Sequence, residues 1–206
     1  MLKRTVYRVF CLISLFVCFI SAGVCTSYAH PHVFIDSWIT VVFDKKGLAG
    51  FNIRWAFDDM FSSMIIMDFD TNHNRRFEAA EIREIEELAF SYLREFEYFV
   101  HVKIGKKPFH VKYVKNFSAK IKDNRVFYSF FIPCHVRATE QWKEVRISVY
   151  DQKYYTDILP GKAPLKFKDQ GSFEVRHRFS QNKSEAYFFD QIYPYEAVVR
   201  FRLKNG

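Results

Sequence analysis

The chain has 206 residues, a formal charge of +8, four cysteines and 49% hydrophobic residues, with 24 Phe and 12 Tyr among them. That composition excludes a disordered or collagen-like chain and favours one domain with an aromatic core. The basic residues are spread along the sequence, which reads as solvated surface and argues against a nucleic-acid partner.

The opening residues carry Lys3, Arg4 and Arg8 and no acid, and an apolar run, VFCLISLFVCFISAGV, follows. Ser27 and Ala29 then stand at positions −3 and −1 of a cleavage point. This is the pattern of a secretory signal peptide over residues 1–29. The apolar run is short for an uncleaved anchor, which needs about 20 residues. A lipoprotein site at Cys25 would follow Val24, where a small residue is expected. Cleavage after Ala29 leaves residues 30–206, 177 in all, with His30 at the amino terminus and a formal charge of +5. The expected location is the periplasm, with no stable membrane insertion after cleavage. Only Cys134 survives, so no intramolecular disulfide is expected, and the thiol reads as a buried small hydrophobe.

From His32, HVFIDSWITVVFD is strand-like, KKG a turn, and LAGFNIRWAF a returning strand. DDMFSSMIIMDF then reads as a short helix capped by Asp58 or Asp59. After a polar loop, EAAEIREIEELAFSYLREFEYFV repeats apolar residues at helical spacing: Ile82, Ile85, Leu88 or Ala89, Tyr92 or Leu93, Phe96 and Phe99. Two hairpins follow, EYFVHVKI-GKKP-FHVKYV and FSAKIK-DN-RVFYSFFIPCHV, the second turning at Asp123-Asn124. EVRISVYD, FEVRHRF, EAYFFD and AVVRFRL supply further strands. The expected fold is α+β: a single, mainly antiparallel, immunoglobulin-like β-sandwich with a helical insertion over about residues 57–98.

The loop between the two predicted helices, DTNHNRRFEAAE (residues 70–81), fits an EF-hand calcium register. Asp70, Asn72, Asn74, the Arg76 carbonyl, Glu78 and Glu81 fall at the ligand positions, and Phe77 at the apolar anchor. Two features weaken it. Arg75 stands where a glycine would make the sharp turn, a left-handed cost of roughly 1–2 kcal/mol. Asn72 and Asn74 also reduce the carboxylates to three. A loop held by Asx turns and a helix cap is the alternative.

His30 and His32 flank Pro31 at the predicted mature terminus. They share strand parity, so both project to one side. The His30 α-amine and the two imidazoles form a nitrogen set suited to Ni, Co, Zn or Cu. Pro31 lacks an amide hydrogen, which blocks the square-planar mode that uses deprotonated amides. Asp36, on the same parity, is a candidate additional ligand, as are His101, His110, His135, His177 and the acids of VYDQKYYTDI. That last stretch, with Asp151, Tyr154, Tyr155 and Asp157, is a second candidate polar site. Its alternative is a tyrosine-rich strand end with a solvated turn.

AHPHVFID after a signal peptide, FDDMFSSMIIMDFDTNHNRRFEAAEI and VYDQKYYTDI together resemble a bacterial domain-of-unknown-function family. That family is described as the periplasmic component of an uncharacterised ABC-type transport system and is often encoded beside nickel/cobalt-type permeases. The resemblance implies a periplasmic metal-binding accessory protein whose partner is an inner-membrane metal permease or ABC transporter. His30 and His32 match the family's amino-terminal motif, and Asp70 to Glu81 its acidic loop. A copper chaperone and a histidine-brace copper oxygenase are the competing expectations. No nucleophile triad, phosphate loop or CxxC motif supports other catalysis.

Overall fold

The computed structural model describes residues 31–204. The predicted leader and His30 lie outside them. Ten strands form two five-stranded sheets that pack as a sandwich. The first sheet has the order β5-β6-β2-β1-β8. It contains β1 (Val33–Asp44), β2 (Gly47–Phe57), β5 (Lys115–Lys122), β6 (Arg125–Arg137) and β8 (Thr156–Lys168). The second has the order β4-β3-β7-β10-β9. Its strands are β3 (Val100–Ile104), β4 (Lys107–Phe109), β7 (Lys143–Val149), β9 (Phe173–Gln181) and β10 (Tyr195–Leu203).

Strand alternation sets the core. In β1, Val33, Ile35, Ser37, Ile39, Val41 and Phe43 are buried, while the residues between them face outward. Phe43 meets Phe173 and Phe201 of the opposite sheet with ring centroids 5.3 and 5.4 Å apart. Trp55 of β2 is fully buried and packs edge-on against Phe130 at 4.9 Å. Asp123 and Asn124 both adopt positive φ, 51° and 60°, the requirement of the two-residue hairpin turn between β5 and β6.

β8 is absent from the sequence reading because Pro160, Gly161 and Pro164 interrupt it. Proline is tolerated there since β8 is an edge strand. It runs parallel to β1, with Val33 opposite Thr156 and Phe34 opposite Asp157. EAYFFD, expected as a strand, is instead a loop with a single bridge between Tyr187 and Ile192. Phe188, Phe189 and Asp190 there have φ of 48°, 57° and 60°, which no strand accommodates.

The insertion lies between β2 and β3. α1 (Asp59–Phe69) is capped by Asp58, whose Oδ1 accepts from the Phe61 N–H at 2.8 Å. Its Oδ2 accepts from the Phe34 N–H at 2.9 Å, tying the cap to β1. Ser62 is fully buried; its hydroxyl donates to the Phe57 carbonyl at 3.3 Å and accepts from the Val126 N–H at 2.9 Å. The β2–β6 ladder ends at Ala56 and Phe127, so Ser62 continues it by one bond.

The single long helix expected after the loop is corrected. α2 (Ala79–Ile85) runs into a π-helical turn at Glu86–Phe90 and a 3₁₀ stretch at Ser91–Phe99. The π turn carries the buried face from Ile85 to Phe90, five residues on, so Leu88 and Tyr92 fall outside, 57% and 67% exposed. Glu97, Tyr98 and Phe99 then take φ of 52°, 54° and 56°. Glu97 holds this left-handed corner: its carboxylate accepts from the Val111 N–H at 3.0 Å and pairs with His110 Nδ1 at 2.7 Å.

The even spread of basic charge is also corrected in part. Trp142 gathers three guanidinium groups of the second sheet over its ring, Arg176 at 4.6 Å, Arg202 at 4.8 Å and Arg200 at 5.5 Å. Glu174 and Glu144 pair with these arginines and offset part of their charge.

Candidate functional site

The parallel β1–β8 pairing unites two candidate regions that are more than a hundred residues apart in sequence. The His32 N–H donates to the Tyr155 carbonyl at 2.9 Å, and the two rings lie 4.8 Å apart. Thr156 and Ile158 point into the core, so strand alternation turns Asp157 outward, the side that His32 also faces. Asp157 and Tyr154 are neighbours that influence each other's titration. Burial raises the Asp157 carboxyl above its ordinary value, and Tyr154 only partly offsets this. Burial, and then the charge of Asp157, raise the Tyr154 phenol.

Other candidate ligands are already engaged. Asp151 is buried, and its carboxylate accepts from the backbone N–H groups of Lys153 (2.9 Å), Tyr155 (3.0 Å) and Thr156 (3.1 Å). It shapes the loop that enters β8. Asp36 Oδ2 pairs with Arg125 at 2.9 Å. Arg125 also donates to the Phe57 and Ala56 carbonyls. His101 stacks on Tyr150 at 4.0 Å, and its Nε2–H donates to the Tyr150 carbonyl at 3.1 Å. Burial lowers its imidazole below the ordinary value, favouring the neutral ring. Cys134 is a buried free thiol, pushed up to about 12 by desolvation. Its predicted role as a small core hydrophobe matches this environment.

Among the described residues, no three His, Cys, Asp or Glu side chains converge to hold a metal ion. The transition-metal set expected from the sequence therefore has one described member, His32. Its other nitrogens belong to His30.

The loop from Asp70 to Glu81 joins the end of α1 to α2. Arg75 adopts φ 61° at the position that favours glycine. Asp70 is almost fully buried and accepts from the N–H groups of Asn74 (3.2 Å) and Arg75 (3.0 Å). Asn72 Oδ1 accepts from the Asn74 N–H and Asn74 Oδ1 from the Arg76 N–H, at 2.9 and 2.8 Å. Asn74 Nδ2 donates to Glu78 at 3.0 Å. Glu81 Oε1 accepts from the Thr71 N–H and hydroxyl, both at 2.9 Å. Its Oε2 accepts from the Glu78 N–H at 2.9 Å, half of a capping box. These bonds hold the Glu81 carboxyl below its ordinary value; the Glu78 N–H contributes most. The loop closes on its own donors, and its three acids do not gather around one point.

The sequence reading missed a large apolar concavity. A cavity of about 440 Å³ lies between the inner face of β1 and β2 and the helical insertion. Trp55, Phe57, Phe61 and Phe90 line it, and Asp151, Lys153 and Tyr155 stand among its few polar lining residues. The aromatic spacing in the sequence was a signal of core, and only the π turn and the left-handed corner reveal that part of that core is hollow.

These features define an α+β sandwich protein whose helix–loop–helix insertion packs on one sheet and whose first strand is preceded by a histidine bonded to the start of the edge strand β8. The chain belongs to the family described as protein of unknown function (DUF1007), which matches residues 15–190. It is 30% identical over 138 residues to an uncharacterised 15.5 kDa protein from the trpE 3′ region of Spirochaeta aurantia, covering 66% of this chain and 96% of that protein. It is 29% identical over 143 residues to an uncharacterised protein of Haemophilus influenzae, covering 66% of this chain and 64% of that protein.

Proposed function

We propose that the protein is a periplasmic accessory component of a transition-metal transport system. In this reading it binds one Ni, Co, Zn or Cu ion through its amino-terminal histidines and exchanges that ion with an inner-membrane permease or ABC transporter. The observation that carries the reading is the edge pairing that sets His32 against Tyr155, with Asp157 on the same outward side. The backbone bond from His32 to Tyr155 fixes where the amino-terminal segment leaves the sheet. His30, two residues earlier, would add an imidazole and, after cleavage, an α-amine. Nitrogen donors of this kind suit borderline divalent metals. The role is binding, with no catalytic step assigned. Calcium in the Asp70–Glu81 loop would be structural, because oxygen donors there serve a hard cation and lie in a separate part of the fold.

The test begins with the intact mass of protein purified from the periplasm, which should correspond to a chain starting HPHVF. Titration calorimetry of that material should then show one transition-metal ion per chain, with His30→Ala and His32→Ala each weakening binding at least tenfold. A retained leader, a lipidated Cys25 start, or unchanged affinity in both variants would overturn the reading.

A further inference from the structure

We infer that the cavity between the β1–β2 face and the insertion binds a single-chain amphiphile, an apolar tail carrying a carboxylate head. This does not depend on metal binding by His30 and His32, although Tyr155 borders both sites. Two observations carry it.

The first is size and lining. About 440 Å³ falls within the range of small-molecule sites. The walls are aromatic and aliphatic, and Ala89, where a larger side chain would fill the space, leaves it open. Packed interiors contain few voids larger than a water molecule. A hollow this large and this apolar offers water almost no partners, yet it suits an alkyl chain.

The second is charge at the rim. Lys153 lines the cavity, lies 5.2 Å from the centre of the Phe96 ring, and forms no ion pair among the described residues. The nearby Asp151 carboxylate is committed to three backbone N–H groups. Glu97, on an adjoining smaller cavity, is paired with His110 and Val111. Lys153 is therefore the uncommitted cation at the rim of the large cavity. Phe96 and Tyr155, 41% and 59% exposed, extend the apolar surface outward beside it. A tail inside and an anionic head on Lys153 satisfy both observations.

The probe is dodecanoate, titrated by calorimetry below its micellar concentration into protein purified as the cell makes it. Native mass spectrometry supplies the stoichiometry. One dodecanoate per chain should bind, and dodecylammonium should bind more weakly. Lys153→Gln, a rim change that leaves the core untouched, should weaken dodecanoate about tenfold, as expected for losing one charge-assisted bond, while leaving dodecanol unchanged. Ala89→Trp should abolish both by filling the cavity. A second arm offers vesicles of dilauroyl phosphatidylglycerol: dodecanoate bound with no uptake of phospholipid supports the single-chain occupant, whereas one phospholipid per chain overturns it. No saturable binding overturns the proposal. So does binding indifferent to Ala89→Trp, a preference for dodecylammonium, or an affinity for dodecanoate unmoved by Lys153→Gln.

Discussion

Ser62→Ala tests how the insertion is fastened to the sandwich. The Ser62 hydroxyl is fully buried, donates to the Phe57 carbonyl and accepts from the Val126 N–H. Alanine keeps the helix and adds no bulk, but it leaves the Val126 donor buried and unpaired where the β2–β6 ladder ends. An unsatisfied buried donor costs about 1–3 kcal/mol. In a domain of this size each kcal/mol lowers Tm by roughly 2–4 °C. The neighbouring Ser63 is the internal control, since its hydroxyl makes only an exposed bond to the Asp59 carbonyl at 2.7 Å. Ser63→Ala should stay within about 0.5 kcal/mol of the parent. Urea unfolding followed by tryptophan fluorescence should show a lower midpoint for Ser62→Ala with an unchanged m-value. Equal midpoints for the two alanine variants would refute the reasoning.

Acidification should destabilise the fold in two stages. His101 has a folded pKa below its unfolded value, so its contribution is complete above about pH 6.5 and is lost as pH falls through the lowered folded value. Glu97 behaves likewise from about pH 4.5 downward: burial alone would raise its carboxyl, but the His110 and Val111 bonds outweigh it. Urea midpoints should fall from pH 8 to 5 as His101 charges, and His101→Gln should remove that stage; nearer pH 4 the raised Asp157 carboxyl opposes the loss at Glu97. Asp58→Ala should cost about 1–2 kcal/mol, because both the helix cap and the Phe34 N–H lose their acceptor; a loss below 0.5 kcal/mol in calorimetric unfolding, on the same scale of about 0.5 kcal/mol expected of surface changes, would contradict it. Asp70→Ala with Glu81→Ala should lower Tm and abolish any rise produced by calcium while leaving nickel affinity intact. A parent protein whose Tm ignores calcium would show the loop to be a staple alone.

Much of the sandwich was legible locally. β-Branched and aromatic alternation marked β1, β2, β6 and β10, and Asp123-Asn124 specified its hairpin by the residues that tolerate positive φ. The loop from Asp70 to Glu81 could be placed between two helices from ligand-position spacing. What escaped depended on long-range pairing or on local irregularity. Pro160 and Pro164 disguised β8 because a central strand would reject them, whereas an edge strand does not. Without β8, nothing in the sequence joined His32 to Tyr155. The π turn from Glu86 to Phe90 shifted the buried face off the regular helical period, so Ala89 and Leu93 face inward in place of Leu88 and Tyr92, beside Phe90, which the spacing did not single out. Asp151 resembled a ligand because a carboxylate beside tyrosines has the same composition whether it binds metal or three backbone N–H groups.

The central claim is that the cleaved amino terminus itself binds metal. The most direct measurement compares the protein beginning at His30 with one carrying a single extra Met before it, by calorimetry with Ni(II), Co(II), Cu(II) and Zn(II) at pH 7. The extension removes no imidazole and converts only the α-amine into a peptide nitrogen. Cu(II) should bind tightest to both forms, as it does to most nitrogen sites, so the comparison is made metal by metal. The account predicts one ion per chain for the native terminus and at least tenfold weaker binding after extension. Equal affinity in the two forms would contradict it.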